Sequence, residues 1–171
     1  MKTLHLLRHA ESDPAGPGTD DHDRPLAALG ETAAAAIGVY FAQQAFRPCV
    51  VLCSSALRAR QTLGHLRPHL LGDPELVVEK ALYLASCGEL LTRLHEIDAG
   101  KSQLVLIGHN PGIADLARSL AGRGEASALR RMAARFPAAA TATCEFDLER
   151  WRELAHGSGR LLAFTTAEDL L

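Results

Sequence analysis

Leu4-His5-Leu6-Leu7-Arg8-His9-Ala10-Glu11-Ser12 is the stretch from which the rest of the chain can be read. Residues 2–8 form a near-continuous apolar run, as expected of a strand buried on both faces of a sheet. The run ends abruptly on Arg8 and His9, and a loop follows. A strand that stops there places a fixed cation beside a nitrogen nucleophile at the edge of a sheet.

Outward from this strand, short apolar runs alternate with longer helical stretches. Asp13 to Pro25 is polar, rich in aspartate, glycine and proline, and long for a connection, which marks it as functional or mobile. Residues 26–45 read as an alanine-rich helix weakened by Gly30 and Gly38. A buried strand is expected over 49–53, a helix over 56–70 with Leu57, Leu63, Leu66 and Leu70 near one stripe, and a third strand within 76–83. A short helix over 88–97 follows, then a fourth strand over 103–108. Pro111 falls where the first turn of a helix begins, and 113–121 continues that helix. Residues 126–135 read as another short helix, 141–148 as a strand and 161–165 as a last strand. Residues 149–160, with Gly157 and Gly159, suit the connection of an antiparallel pair. This alternation predicts an α/β fold, a three-layer α/β/α sandwich with a mostly parallel central sheet, in a single domain spanning 1–171.

Composition excludes several classes. The net charge of −2 over 171 residues provides no basic field for nucleic acid. No run approaches the ~18 apolar residues of a membrane span. The N-terminus lacks a secretory pattern, so a cytoplasmic location is expected. Cys49 and Cys53 lie on one strand-like run, are expected to point the same way, and leave no metal loop between them. With Cys87 and Cys144 they read as structural thiols.

Ligands of open α/β sheets bind beyond the carboxyl ends of strands. Three expected strands end in reactive or cationic groups: Arg8-His9, Ser54-Ser55-Ala56-Leu57-Arg58-Ala59-Arg60-Gln61-Thr62, and Gly108-His109-Asn110-Pro111-Gly112. If the strands are parallel, two histidines and at least two arginines meet on one rim. Such a set suits phosphoryl transfer, with His9 as nucleophile and Arg8 and Arg58 gripping nonbridging oxygens by forked hydrogen bonds. A protonated His109 would add a donor, and the amides near Asn110 and Gly112 favour an anion. A zinc site formed by His5, His9 and His109 is the competing reading, and the adjacent arginines would repel the cation. His5 reads as core or as support for the site. His22, His65, His69, His95 and His156 read as surface positions, Arg60 as an exposed helix residue, and Asp20, Asp21 and Asp23 as a solvated acidic cluster.

Together, the three blocks resemble those of the histidine phosphatase superfamily, the phosphoglycerate mutase-like proteins, with Ala10 in place of that family's usual glycine. The short length and Arg24-Pro25-Leu26 leading into Gly30 resemble the SixA-type phosphohistidine phosphatase branch. The resemblance implies a phosphohistidine enzyme intermediate, catalytic roles for His9, Arg8, Arg58 and His109, and a substrate contact from Arg24. Ser12 and Asn110 are further substrate-binding candidates. No cofactor or metal is called for, and a monomer is expected.

Many family members carry an acid shortly after the third strand that protonates a leaving alkoxide. In Glu79-Lys80-Ala81-Leu82-Tyr83-Leu84-Ala85-Ser86, Glu79 falls too early and Glu89 too late. A leaving imidazole needs less help than an alkoxide. The expectation is therefore a phosphorylated protein carrying phosphohistidine. The alternatives are a small phosphorylated substrate, with Glu11, Tyr83 or Glu89 as acid, and a phosphate-binding module without turnover.

Overall fold

A computed structural model describes all residues from Met1 to Leu171. Seven strands form one sheet: β1 (Lys2–Arg8), β2 (Val50–Ser54), β3 (Glu75–Glu79), β4 (Gln103–Gly108), β5 (Ala121–Gly124), β6 (Thr141–Phe146) and β7 (Gly159–Thr165). Their order is β3-β2-β4-β1-β6-β7-β5, and β6 alone runs against the others. The helices are α1 (Ala28–Gln43), α2 (Leu57–Leu66), α3 (Cys87–His95), α4 (Gly112–Leu120) and α5 (Ala126–Ala134). None is long and apolar enough to cross a membrane.

The strands read as continuous apolar runs because they are buried from both sides. Along β2, Val50 and Leu52 pack with α3, α4 and α5, whereas Val51 and Cys53 pack with α1 and α2. The same division separates Leu104 and Leu106 from Val105 and Ile107 on β4. This is the expected three-layer sandwich. Two glycines let elements approach the rim closely. A Cβ on Gly30 would lie 1.9 Å from the Glu11 carbonyl oxygen, and one on Gly112 would lie 2.0 Å from that of Ala85. Gly30, expected only to weaken α1, is thus the point where that helix presses on the loop after His9.

Several expectations are corrected. Ala121, assigned to the end of a helix, begins β5, an edge strand paired with β7. Its Ala-Gly-Arg-Gly sequence has no strand signal of its own and is held by that partner. Pro111 is the cap of α4 rather than its first residue. Cys49 precedes β2 and packs against the layer opposite Cys53, so the two thiols do not share a face. The Asp13–Pro25 loop is pinned at its base by a Ser12–Leu26 bridge and a 3.0 Å bond from Asp13 N–H to the Pro25 carbonyl.

His5 is a core residue, between Phe41 and Phe46, with Nδ1 3.0 Å from Thr143 Oγ1. Burial lowers its pKa from 6.5 to about 3. The folded state therefore holds His5 neutral while the unfolded chain protonates it below pH 6.5, so stability is lost as pH falls from 6.5 towards 3. The contribution is about 1.4 kcal/mol per pH unit. In urea denaturation between pH 7 and pH 5, His5→Leu should flatten the acid-side loss by about that slope. An unchanged slope would show that His5 titrates normally in the fold.

Candidate active site

Because β1, β2 and β4 are parallel, their three endings do converge. Arg8 lies opposite Gly108 in the β1–β4 register, and His9 N–H donates to the Gly108 carbonyl at 3.0 Å. The His9 and His109 rings then stand 5.0 Å apart between centroids. Arg58, on the first turn of α2, enters from the end of β2. A cavity of about 440 Å³ opens over these groups, and Arg8, His9, Ser12, Arg24, Arg58, His109 and Asn110 all line it. Every site residue expected from sequence is therefore on this one pocket.

The hydrogen bonds fix the ring tautomers. His9 Nδ1 lies 2.7 Å from the Ala10 carbonyl oxygen, which can only accept, so Nδ1 carries the hydrogen and Nε2 is unprotonated. Arg58 Nε donates to that Nε2 at 3.3 Å. His109 Nδ1 accepts from Arg58 Nη2 at 3.3 Å, which leaves its Nε2–H to donate to Ser54 Oγ at 2.7 Å. Burial, followed by the Arg58 and Arg8 charges, pulls the His9 pKa from 6.5 to about 4, against the Ala10 bond. Burial and then His9 and Arg58 pull that of His109 to about 3. His109 is thus a neutral imidazole and not the extra charged donor it would be if protonated.

Arg8 donates through Nη1 to the Phe136 carbonyl at 3.1 Å, but its Nε is buried without a partner. Asn110 Nδ2 donates to the same carbonyl at 2.8 Å, and its Oδ1 is likewise unpartnered. A buried guanidinium donor without a partner is costly. Arg24 is held by the Asp13 carbonyl, Asp21 Oδ1 and Ser12 Oγ at 2.7, 2.9 and 2.9 Å.

Supporting residues were concealed within the motif blocks. Ala10 N–H donates to Thr62 Oγ1 at 3.1 Å, and Thr62 donates to the Arg58 carbonyl at 2.7 Å, clamping the loop after β1 to α2. Gln61 accepts from Leu26 N–H at 2.7 Å. Ala10 is fully buried and has no positive φ, so alanine fits where glycine is usual. Arg60 is an exposed helix residue, as expected.

Two residues read as surface positions also take part in the site. Asp21 is exposed, as expected, but it is bonded to the pocket. Its Oδ2 accepts from Arg58 Nη2 at 3.1 Å and from the Tyr83 hydroxyl, and its carbonyl accepts from Arg58 Nη1 at 2.7 Å. His22 Nε2 lies 2.8 Å from Ser55 Oγ, with its ring edge-on to Tyr83. The available signal was position: Asp21 sits three residues before Arg24, in a turn that can fold back on it. Glu79 and Glu89 are engaged elsewhere, the first in a bidentate pair with Arg93 at 2.8–3.0 Å and the second capping α3 at Ser86. His5, in the core, does not join His9 and His109, and no group of three His, Cys, Asp or Glu side chains is placed to hold a metal ion.

Residues 4–104 match the family model for the histidine phosphatase superfamily (branch 1). The chain belongs to this superfamily. It is similar to the uncharacterized protein Rv1276c of Mycobacterium tuberculosis, at 32% identity over 161 residues, covering 92% of this chain and 98% of that protein. Among solved structures it is similar to a candidate phosphohistidine phosphatase SixA from Nakamurella multipartitia, with 27% identity, 96% and 95% of the two chains covered, and a TM-score of 0.83. A candidate SixA from Agrobacterium tumefaciens superposes with a TM-score of 0.81 at 26% identity, covering 96% and 97%. Family and neighbours together support a phosphatase.

Proton NMR titration of the imidazole Cε1–H signals should show His9 titrating at about 4 and His109 at about 3 in the ligand-free protein. A His9 midpoint near its ordinary value of 6.5 would show that the ring is not held neutral by its surroundings.

Proposed function

We propose that this chain is a phosphohistidine phosphatase that works through a phosphorylated His9. The unprotonated Nε2 of His9, its tautomer fixed by the bond from Nδ1–H to the Ala10 carbonyl and its lone pair accepting from Arg58, is the observation that carries this reading. Nε2 attacks phosphorus, the bond from phosphorus to the substrate's leaving atom breaks, and the electron pair departs with that atom. His9 is then an N-phosphoryl imidazolium whose Nδ1–H remains on Ala10. Water attacks phosphorus in turn, inorganic phosphate is released, and His9 leaves as a neutral imidazole.

Arg8 and Arg58, which both line the pocket, bind the nonbridging oxygens. The arriving negative charge raises the His109 pKa, and once Arg58 Nη2 turns from His109 Nδ1 to the phosphoryl oxygens, that nitrogen is free to take a proton and donate it as a hydrogen bond. Arg24, Ser12 and Asn110 border the substrate, with Ser12 acting through its hold on Arg24. These groups neutralise the phosphoryl charge without requiring a metal, so turnover is expected to survive EDTA.

The preference for a P–N bond rests on the acids. Glu79 and Glu89 are occupied outside the pocket. Tyr83 has its pKa raised, chiefly by desolvation and by Asp21, and its hydroxyl is already donated. An alkoxide therefore lacks a committed proton donor, whereas a ring-protonated phosphohistidine departs as neutral imidazole without one. A second reading, a small-molecule phosphomonoesterase, draws on Glu11, which lines the pocket and is exposed.

Three measurements test this. His9→Ala should lower turnover by at least ~10³-fold while inorganic phosphate still binds, whereas a module that only binds phosphate has no turnover for the substitution to remove. Phosphohistidine should exceed simple alkyl phosphates in kcat/KM, and preference for the alkyl esters would overturn the substrate assignment. Arg8→Ala should cost ~10²–10³-fold in kcat.

A further inference from the structure

The floor of the pocket is cationic or neutral, whereas its rim carries two carboxylates, one of them paired with Arg24. Arg58, His9 and His109 are buried at the floor, while Glu11 and Asp21 are exposed along the rim. In an in-line displacement the leaving group points away from the nucleophile, so a group expelled by His9 emerges past this rim. Asp21 is anchored there by Arg58, Arg24 and Tyr83. Its Oδ1 has one partner, Arg24 Nη1 at 2.9 Å, and the side chain is 45% exposed, so a lone pair remains for a further donor. Leu84 adds an exposed apolar wall to the same cavity.

We infer that Asp21 is a specificity-determining residue, which accepts a hydrogen bond from the distal ring N–H of a phosphohistidine and disfavours leaving groups that depart as anions. The inference rests on the phosphatase reading above and names the feature of that site that selects the substrate.

The chemistry is symmetric across phosphorus. His9 keeps its distal N–H on the Ala10 carbonyl, so it can gain and lose the phosphoryl group as a neutral imidazole. The substrate ring needs the same condition: with its distal nitrogen protonated, breaking the P–N bond sends the electron pair to the bridging nitrogen and releases a neutral imidazole. A carboxylate beside that distal N–H stabilises the protonated ring, as the Ala10 carbonyl holds Nδ1–H on His9. A departing alkoxide or phenolate would instead develop negative charge beside a fixed carboxylate. Asp21 is unsuited to be its proton donor, because hydrogen bonds from Tyr83, Arg24 and Arg58 hold its pKa well below the usual carboxylate range.

Asp21→Asn keeps the size of the side chain and removes the charge. Asp21 also braces Arg58, so any general loss is cancelled by taking the ratio of kcat/KM for phosphohistidine to that for p-nitrophenyl phosphate, whose leaving group is an anion. The expected result is a fall in this ratio of ~10-fold relative to the wild type. A variant that loses activity on both substrates alike, or on neither, would assign Asp21 to bracing alone and overturn the inference. A wild type that turns over neither substrate would remove the phosphatase reading and this inference with it. A wild type that prefers phosphohistidine, together with an unchanged ratio in the variant, would remove only the inference.

Discussion

Arg58 is a guanidinium taken almost wholly out of water, 3% exposed, and the pocket is arranged around what that costs. A buried cation must find acceptors or it destabilises the fold by several kcal/mol. Arg58 finds them on three separate pieces of chain: His9 after β1, His109 after β4, and Asp21 in the long loop. Its cation also lies 5.9 Å from the Tyr83 ring centroid. One side chain thus fixes the orientation of both histidines and ties the loop to the rim. Its own position is set by the Thr62 clamp one turn along α2.

The electrostatics of the empty pocket follow from that arrangement. Arg8 and Arg58 repel one another across a partly desolvated space, which lowers the Arg8 pKa after burial has already done so. Burial, and after it the neighbouring positive charges, keeps both histidines neutral. For His9, neutrality is what a nucleophile requires. The only carboxylate contacting Arg58 is Asp21, at the rim and without direct contact to His9.

Much of this was legible in the sequence, because the relevant signals are local. A two-sided buried strand shows as a continuous apolar run, and its end shows where the run breaks into Arg8-His9 or His109-Asn110. Parallel pairing then brings those ends together, a long-range consequence of a short-range pattern. Asp21 and His22 were illegible for the opposite reason. Their solvated, turn-forming neighbours give them an ordinary surface context, and only the folding of the loop onto Arg58, Ser55 and Tyr83 gives them partners. Strand β5 failed similarly, since Ala121-Gly122-Arg123-Gly124 is held by pairing with β7 rather than by its own propensity. Cys49 failed because alternation holds only within a strand, and it lies one residue outside β2.

The pocket is also a source of instability. An unpaired Arg8 Nε, an unpaired Asn110 Oδ1 and two neighbouring guanidinium groups each cost the fold stability. The apolar sheet beneath the rim, with Leu4, Leu6, Leu7, Val105 and Ile107 fully buried, provides the stability that allows such a concentration of like charge. On the proposed phosphatase reading, an oxyanion between the arginines would screen their repulsion and favour a proton on His109. The same logic explains why the rim, not the floor, must discriminate among substrates. The floor favours any tetrahedral oxyanion of sufficient charge, and only groups placed along the leaving path can sense what that oxyanion was attached to.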